Sequence, residues 1–347
     1  MDGMELIRHS FFDDDGKVYI QGNAYKSNEQ LGIYQAQINI DTGNLITQRE
    51  LICKGSGGKS PESPHIFKKD KFYYLTVAEG GNEYGHMVTI FRSNNISGPY
   101  ESYINNPILT NRSTSSKVQC VGHADIFEDY EHNWWTVCLG IRVSGHHAYY
   151  HHLGRETFLS PIEWNDDNWP CINKNGHIDL KMFGKLKNPQ KNISNDLFMD
   201  FTKDKNISQR LVYLRNPNDD DYKLVKNKGL ILNGSKKTLN DTGKVTFLGL
   251  RQSEFNVKYQ AQFEFSELNN KLIFGISTFM FKDYHFDLSV NLSLKMIYLK
   301  IKLGNIDTLL YKIPLNSNNH IILEIDADHK YYYYYVYQNN IKTISKL

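Results

Sequence analysis

Three stretches in the first half of the chain repeat one pattern: an apolar pair, a charged turn, then an aromatic and β-branched run. They are Phe11-Phe12-Asp13-Asp14-Asp15-Gly16-Lys17-Val18-Tyr19-Ile20, then His65-Ile66-Phe67-Lys68-Lys69-Asp70-Lys71-Phe72-Tyr73-Tyr74-Leu75, then Asp125-Ile126-Phe127-Glu128-Asp129 leading to Trp134-Trp135-Thr136-Val137. Residues suited to a pleated surface on both sides of a polar turn read as β-hairpins. Phe12, Phe67 and Phe127 mark the repeat, at spacings of 55 and 60 residues. A period that long, made of hairpins with no amphipathic helix between them, predicts four-stranded propeller blades; a generic antiparallel meander is the alternative. Propellers close with roughly four to eight blades. Only about three can be counted before the pattern ends near residue 180, so a partial propeller is expected over residues 1–180, its gap on the N-terminal side.

Residues 181–196, KMFGKLKNPQKNISND, have no apolar periodicity and read as a linker. Strands then resume at a shorter spacing, at 246–250, 261–265, 285–290, 297–302 and 321–325. Alternating strands about a dozen residues apart predict a β-sandwich over residues 197–347. The tyrosine run Tyr331-Tyr332-Tyr333-Tyr334-Tyr335 reads as a strand with little sequence left to pair with, and the sandwich is expected to be incomplete at its C-terminus. The fold class is therefore all-β.

Composition narrows the function. At 347 residues, two domains fit better than one. A formal net charge of +2, without a dense block of Lys or Arg, argues against a nucleic-acid partner. Aromatics make up 13% of the chain, which suits sheet packing and also stacking on sugar rings. Cys53, Cys120, Cys138 and Cys171 form no C-x-x-C pair, so neither zinc ligation by cysteine nor a disulfide framework is indicated. No apolar run approaches the roughly 20 residues of a membrane span, and residues 1–20 contain no secretory pattern. No membrane partner and a cytoplasmic location are expected of the chain as written, although an N-terminal signal could precede it.

Three clusters carry candidate chemistry. In GGKSPESPHIF, residues 57–67, Glu62 stands between Pro61 and Ser63-Pro64, which restrict the backbone on both sides. A carboxyl group held at a strand entrance suits general acid catalysis; an exposed loop glutamate is the plainer alternative. Gly122-His123-Ala124-Asp125 opens the next blade at a position matching Pro64-His65, and equivalent strand starts in a propeller converge on the central channel. In His151-His152-Leu153-Gly154-Arg155-Glu156-Thr157-Phe158, Arg155 offers a planar fork for sugar hydroxyls or a carboxylate, the alternative being a salt bridge to Glu156 or another acid. His146-His147 and His151-His152 lack metal-ligand spacing, and no zinc site is expected there.

Together and in this order, the clusters resemble the β-xylosidases and α-L-arabinofuranosidases of glycoside hydrolase family 43, which join a five-bladed propeller to a concanavalin-like β-sandwich. The matching segments are FFDDDGKVYI, SPESPHIFKKDKFYYLTVAEGGNEYGHMVTIFRS, GPYE followed by NPILTNR, VGHADIFED, HHLGRETFLSPIEW and, in the second domain, LRNPNDDDYKL at 214–224. The similarity spans nearly the whole chain. It implies hydrolysis of O-glycosyl bonds in xylose- or arabinose-containing glycans with inversion, a xylo-oligosaccharide or arabinose-containing glycan as partner, and a role in xylan degradation. It assigns Glu62 as general acid, His123 and Arg155 as substrate-binding residues, and no metal or cofactor, apart from a structural calcium in the channel near His123.

The departures are equally specific. The family's general base is an aspartate of the first blade, and that position falls before Met1, so no residue here is assigned to it. A second aspartate, which tunes the acid from a D-P-S motif, falls on Arg8, or on Ile7 if the register slips by one. A cation there would favour ionised Glu62 and work against the acid. The sandwich also stops short of the segment that sends an aromatic side chain into the site in similar enzymes. A glycosidase inactive as this chain alone is therefore expected. One half of a split glycosidase and a non-catalytic carbohydrate-binding protein are the other readings. Xyloside against arabinoside preference, exo against endo action and oligomeric state are not encoded legibly.

Overall fold

The computed structural model describes residues 4–24, 31–144, 151–185, 197–266, 271–317, 319–339 and 341–346, with the side chains of 4–8, 341 and 344–346 outside that description. Two compact units divide at Gln190 and Lys191. Most of the 181–196 stretch, like His146 and His147, lies outside the described residues.

The first unit consists of three four-stranded antiparallel meanders. The first sheet runs β1 (Met4–Phe12), β2 (Val18–Ala24), β3 (Ile33–Gln37), β4 (Glu50–Cys53); the second β5 (Glu62–Lys69), β6 (Phe72–Glu79), β7 (Met87–Ser93), β8 (Glu101–Ser102); the third β9 (Val118–Glu128), β10 (Trp134–Arg142), β11 (Arg155–Trp164), β12 (Pro170–Ile172). These are the blades that the hairpin repeat predicts. Their central strands are apolar on both faces because blades stack face to face. Ile33, Ile66, Leu75, Val77 and Phe91 pack the first blade on the second, and Tyr74, Val88, Ile90, Val121, Ile126 and Ile162 pack the second on the third. Leu75 and Val77 are wholly buried, worth about 1.5–3 kcal/mol each relative to exposure.

The opening strands neighbour one another, β1 beside β5 and β5 beside β9. Each carries a bulge at the same level, between Glu5 and Arg8, between Glu62 and His65, and between Gly122 and Asp125. A bulge inserts extra backbone on one strand and re-aims the side chains that follow. Here it turns three equivalent strand starts inward.

The second unit stacks two four-stranded sheets. One has the order β17 (Val257–Glu264), β22 (His320–Ala327), β23 (Tyr332–Gln338), β24 (Ile341–Lys346), and the other β18 (Ile273–Phe281), β19 (Tyr284–Asn291), β20 (Met296–Leu303), β21 (Ile306–Pro314). Between them Leu288, Val290, Ile297, Leu299, Ile321, Leu323, Tyr334 and Val336 form the core. Four short strands precede the sandwich: β13 (Leu211–Tyr213) pairs with β16 (Leu248–Leu250), and β14 (Tyr222–Val225) pairs with β15 (Gly229–Leu232). The tyrosine strand is better partnered than its place near the chain end suggests, because β23 lies between β22 and β24.

Candidate active site

Glu62 opens β5 opposite Ala78 and is half-buried, with Pro61, Ser63 and Pro64 buried around it. Ser60 and Ser63 flank it at φ 53° and 52°, a left-handed conformation that non-glycine residues adopt only where the surroundings impose it. The loop that leads into this segment is held by Glu79. Its carboxylate, 1% exposed, accepts hydrogen bonds from the Ser56 amide at 2.8 Å, the Gly58 amide at 2.7 Å and the Thr89 hydroxyl at 2.6 Å. The Gly80 amide donates to the Lys59 carbonyl at 2.7 Å. The loop entering Glu62 is thus tied down before the strand begins.

His123 lies in the β9 bulge at φ 48°, with its ring centroid 5.7 Å from that of His65. Burial, with His65, His86 and the Arg155 cation nearby, holds its pKa below the ordinary histidine value, so the ring is neutral at neutral pH. Arg155 opens β11 opposite Ile141 and is exposed. Glu156 is not its partner: that carboxylate is gripped by Arg142, Nε to Oε2 at 2.8 Å and Nη2 to Oε1 at 2.9 Å. The structure therefore brings His123 and Arg155 together and places Glu62 at the equivalent strand start one blade away.

Three further residues join this end of the blades. His86, 3% exposed, has Nδ1 3.0 Å from the Cys120 carbonyl oxygen, so Nδ1 carries the proton and Nε2 is left as an acceptor. Its ring covers Gly122 so closely that a Cβ there would lie 2.4 Å from Nε2. Glycine is required at this position by space. His9 and Asp125 flank His65, the His9 ring centroid at 4.7 Å and Asp125 Oδ1 at 3.6 Å from His65 Nδ1. Desolvation, then His65, pushes the His9 pKa down. Among the described residues, His9, His65 and Asp125 each offer a ligand atom, all within 4.8 Å of one another. A channel calcium fits this set poorly, since calcium takes six to eight oxygens and the set offers two imidazoles and one carboxylate.

Residues 8–170 match the family model for glycosyl hydrolases family 43, and residues 199–346 match that of the β-xylosidase C-terminal concanavalin A-like domain. The chain is 32% identical over 321 residues to the non-reducing end α-L-arabinofuranosidase BoGH43B of Bacteroides ovatus, covering 90% of this chain and 59% of that protein. A xylosidase/arabinosidase of Butyrivibrio fibrisolvens is 30% identical over 297 residues, covering 81% of this chain and 56% of its own length. The chain thus spans somewhat over half of these relatives. A solved structure of Bacteroides ovatus, GH43B of a xyloglucan utilisation locus, superposes with a TM-score of 0.87 at 28% identity, covering 99% of this chain and 67% of its own.

Proposed function

The chain belongs to glycosyl hydrolases family 43 through residues 8–170 and to that family's concanavalin A-like C-terminal domain through residues 199–346, and on that premise we propose that it acts on the O-glycosyl bonds of xylose- or arabinose-containing glycans, with inversion. Glu62 is the general acid, and His123 and Arg155 hold sugar hydroxyls. The observation that carries this reading is the fixed backbone on both sides of Glu62, at the blade end where His123 and Arg155 also emerge.

An inverting glycosidase needs a protonated carboxyl group to assist the leaving oxygen and an ionised one about 6.5–9.5 Å away to activate water. Glu62 supplies the first: the Glu79 clamp and the prolines limit its movement, so its proton is presented from one direction. The neutral His123 ring can accept from or donate to a hydroxyl, and the Arg155 fork can span two neighbouring hydroxyls. The second carboxylate is not assigned to any of these 347 residues. On this reading these residues acting alone turn over about a hundred- to ten-thousand-fold more slowly than with a base supplied.

The test is to incubate the chain with nitrophenyl β-xyloside and nitrophenyl α-arabinofuranoside, with and without a polypeptide carrying the relatives' first-blade aspartate. Little release alone and turnover on addition are expected. Robust release by the unsupplemented chain, lost on replacing an acidic residue other than Glu62, would overturn the assignment.

A further inference from the structure

We propose that His9, His65 and Asp125 form a binding site for a divalent transition ion of the zinc class, shared by all three blades. Each ligand comes from the opening strand of a different sheet: His9 from β1, His65 from β5 and Asp125 from β9. His65 and Asp125 follow the bulges of their strands directly, and His9 comes one residue further on, so all three are aimed at one place by the same backbone device.

His65 carries the strongest sign of an absent partner. Both of its ring nitrogens are shut off from solvent and neither has a hydrogen-bond partner among the described residues. The 3.6 Å from Nδ1 to Asp125 Oδ1 is too long for a hydrogen bond. Buried polar groups are almost always satisfied, so an imidazole with one nitrogen unpartnered and the other only at ion-pair distance from a carboxylate calls for a further partner such as an ion. Gln21, cross-strand neighbour of His9, adds a buried Oε1 beside that ring, which could orient the His9 ligand or the ion's water.

The donor set selects the class of ion. Zinc-class ions bind imidazole nitrogen and carboxylate oxygen at about 2.0–2.2 Å, which puts tetrahedral ligand atoms about 3.4 Å apart. The observed spread of up to 4.8 Å closes with side-chain rotation of about 1 Å. Two imidazoles and a carboxylate, with water in a fourth position, suit zinc, cobalt or nickel and not calcium. Because the ligands come from three sheets, the bound ion would tie the blades together at the axis and stabilise the first unit by mass action. Glu62 is not a ligand, so the site stands or falls independently of the hydrolysis reading.

The experiment titrates the chelator-stripped 347-residue chain with zinc chloride and separately with calcium chloride by calorimetry, and records the visible spectrum after adding cobalt chloride. One equivalent of zinc bound at least a hundredfold more tightly than calcium is expected, with intense tetrahedral cobalt bands and a raised midpoint of the tryptophan-detected melt. His65→Asn and His9→Asn should each weaken zinc at least tenfold, whereas replacing the surface His132 should not. Calcium binding as tightly as zinc, no saturable zinc site in the unmutated chain, or zinc binding unchanged in His65→Asn would each overturn the proposal.

Discussion

Gly122→Ala is a one-methyl change whose effect can be worked out from the site. The added Cβ would sit 2.4 Å from Cδ2 and Nε2 of His86 and 2.5 Å from Cε1. Ordinary contact begins about 1 Å further out, so the ring must retreat, and the buried ring has little room. Overpacking of this kind typically costs about 1–3 kcal/mol. Retreat also stretches the 3.0 Å hydrogen bond from Nδ1 to the Cys120 carbonyl, and an unpaired buried group adds about 1–3 kcal/mol. A loss of about 2–6 kcal/mol is expected, equivalent to roughly 5–20 °C for a domain of this size. Trp134, Trp135, Trp164 and Trp169 are the chain's four tryptophans and all lie in the first unit, so urea melts followed by tryptophan fluorescence report on that unit. In a His86→Ala background the three nearest contacts are gone, and the same change should cost well under half of what it costs in the parent. A single mutant as stable as the parent, or an equal loss in both backgrounds, would refute the reasoning.

Other outcomes follow from neighbouring contacts. Glu79→Ala frees the Ser56 and Gly58 amides and should expose residues 55–60 to limited proteolysis, with a loss of about 3 kcal/mol or more in the same melt. Although burial pushes its pKa upward, the hydrogen bonds to the Asp129 carboxylate from Trp135, Asn133 and Glu131 win and hold it at about 2. The ionised form is therefore favoured in the folded state. Its stabilisation is present above the unfolded value of about 4 and fades as pH falls from about 4 towards 2, so Asp129→Asn should flatten the acid limb of first-unit stability over that window. Leu323→Ala, at a fully buried position of the sandwich, should cost about 2–5 kcal/mol in the calorimetric transition of the second unit.

Much of the fold is legible because polar turns interrupt aromatic runs at regular intervals: the hairpins at 11–20, 65–75 and 125–137 became the first two strands of each blade. Three sandwich strands were not legible: Ile273–Phe281, Ile306–Pro314 and Ile341–Lys346. Ile273–Phe281 is too continuously apolar to show a period, and Ile306–Pro314 is exposed along almost its whole length, so no buried face imposes alternation. In the site, Glu62 stood out because prolines flank it. His65 and Asp125 both stand two residues before the marker phenylalanines Phe67 and Phe127, so the repeat carried a signal for their convergence. His9 stands three before Phe12 and escapes that register. His86 and Glu79 could not be read at all, since their roles depend on a glycine 36 residues later and a loop more than 20 residues earlier.

The central claim is that Glu62 donates the proton to the leaving group, and the dependence of rate on leaving-group acidity tests it most directly. Aryl xylosides or arabinofuranosides spanning a range of phenol pKa values would be hydrolysed by the chain and by its Glu62→Gln variant, each supplemented with the first-blade polypeptide. With Glu62 present the rate should vary little across the series. In Glu62→Gln it should fall steeply as the phenol becomes a poorer leaving group, while the most acidic phenols are released nearly as fast as by the parent, because they need no proton. Parallel slopes, with the variant slowed equally for every leaving group, would show that Glu62 is not the acid.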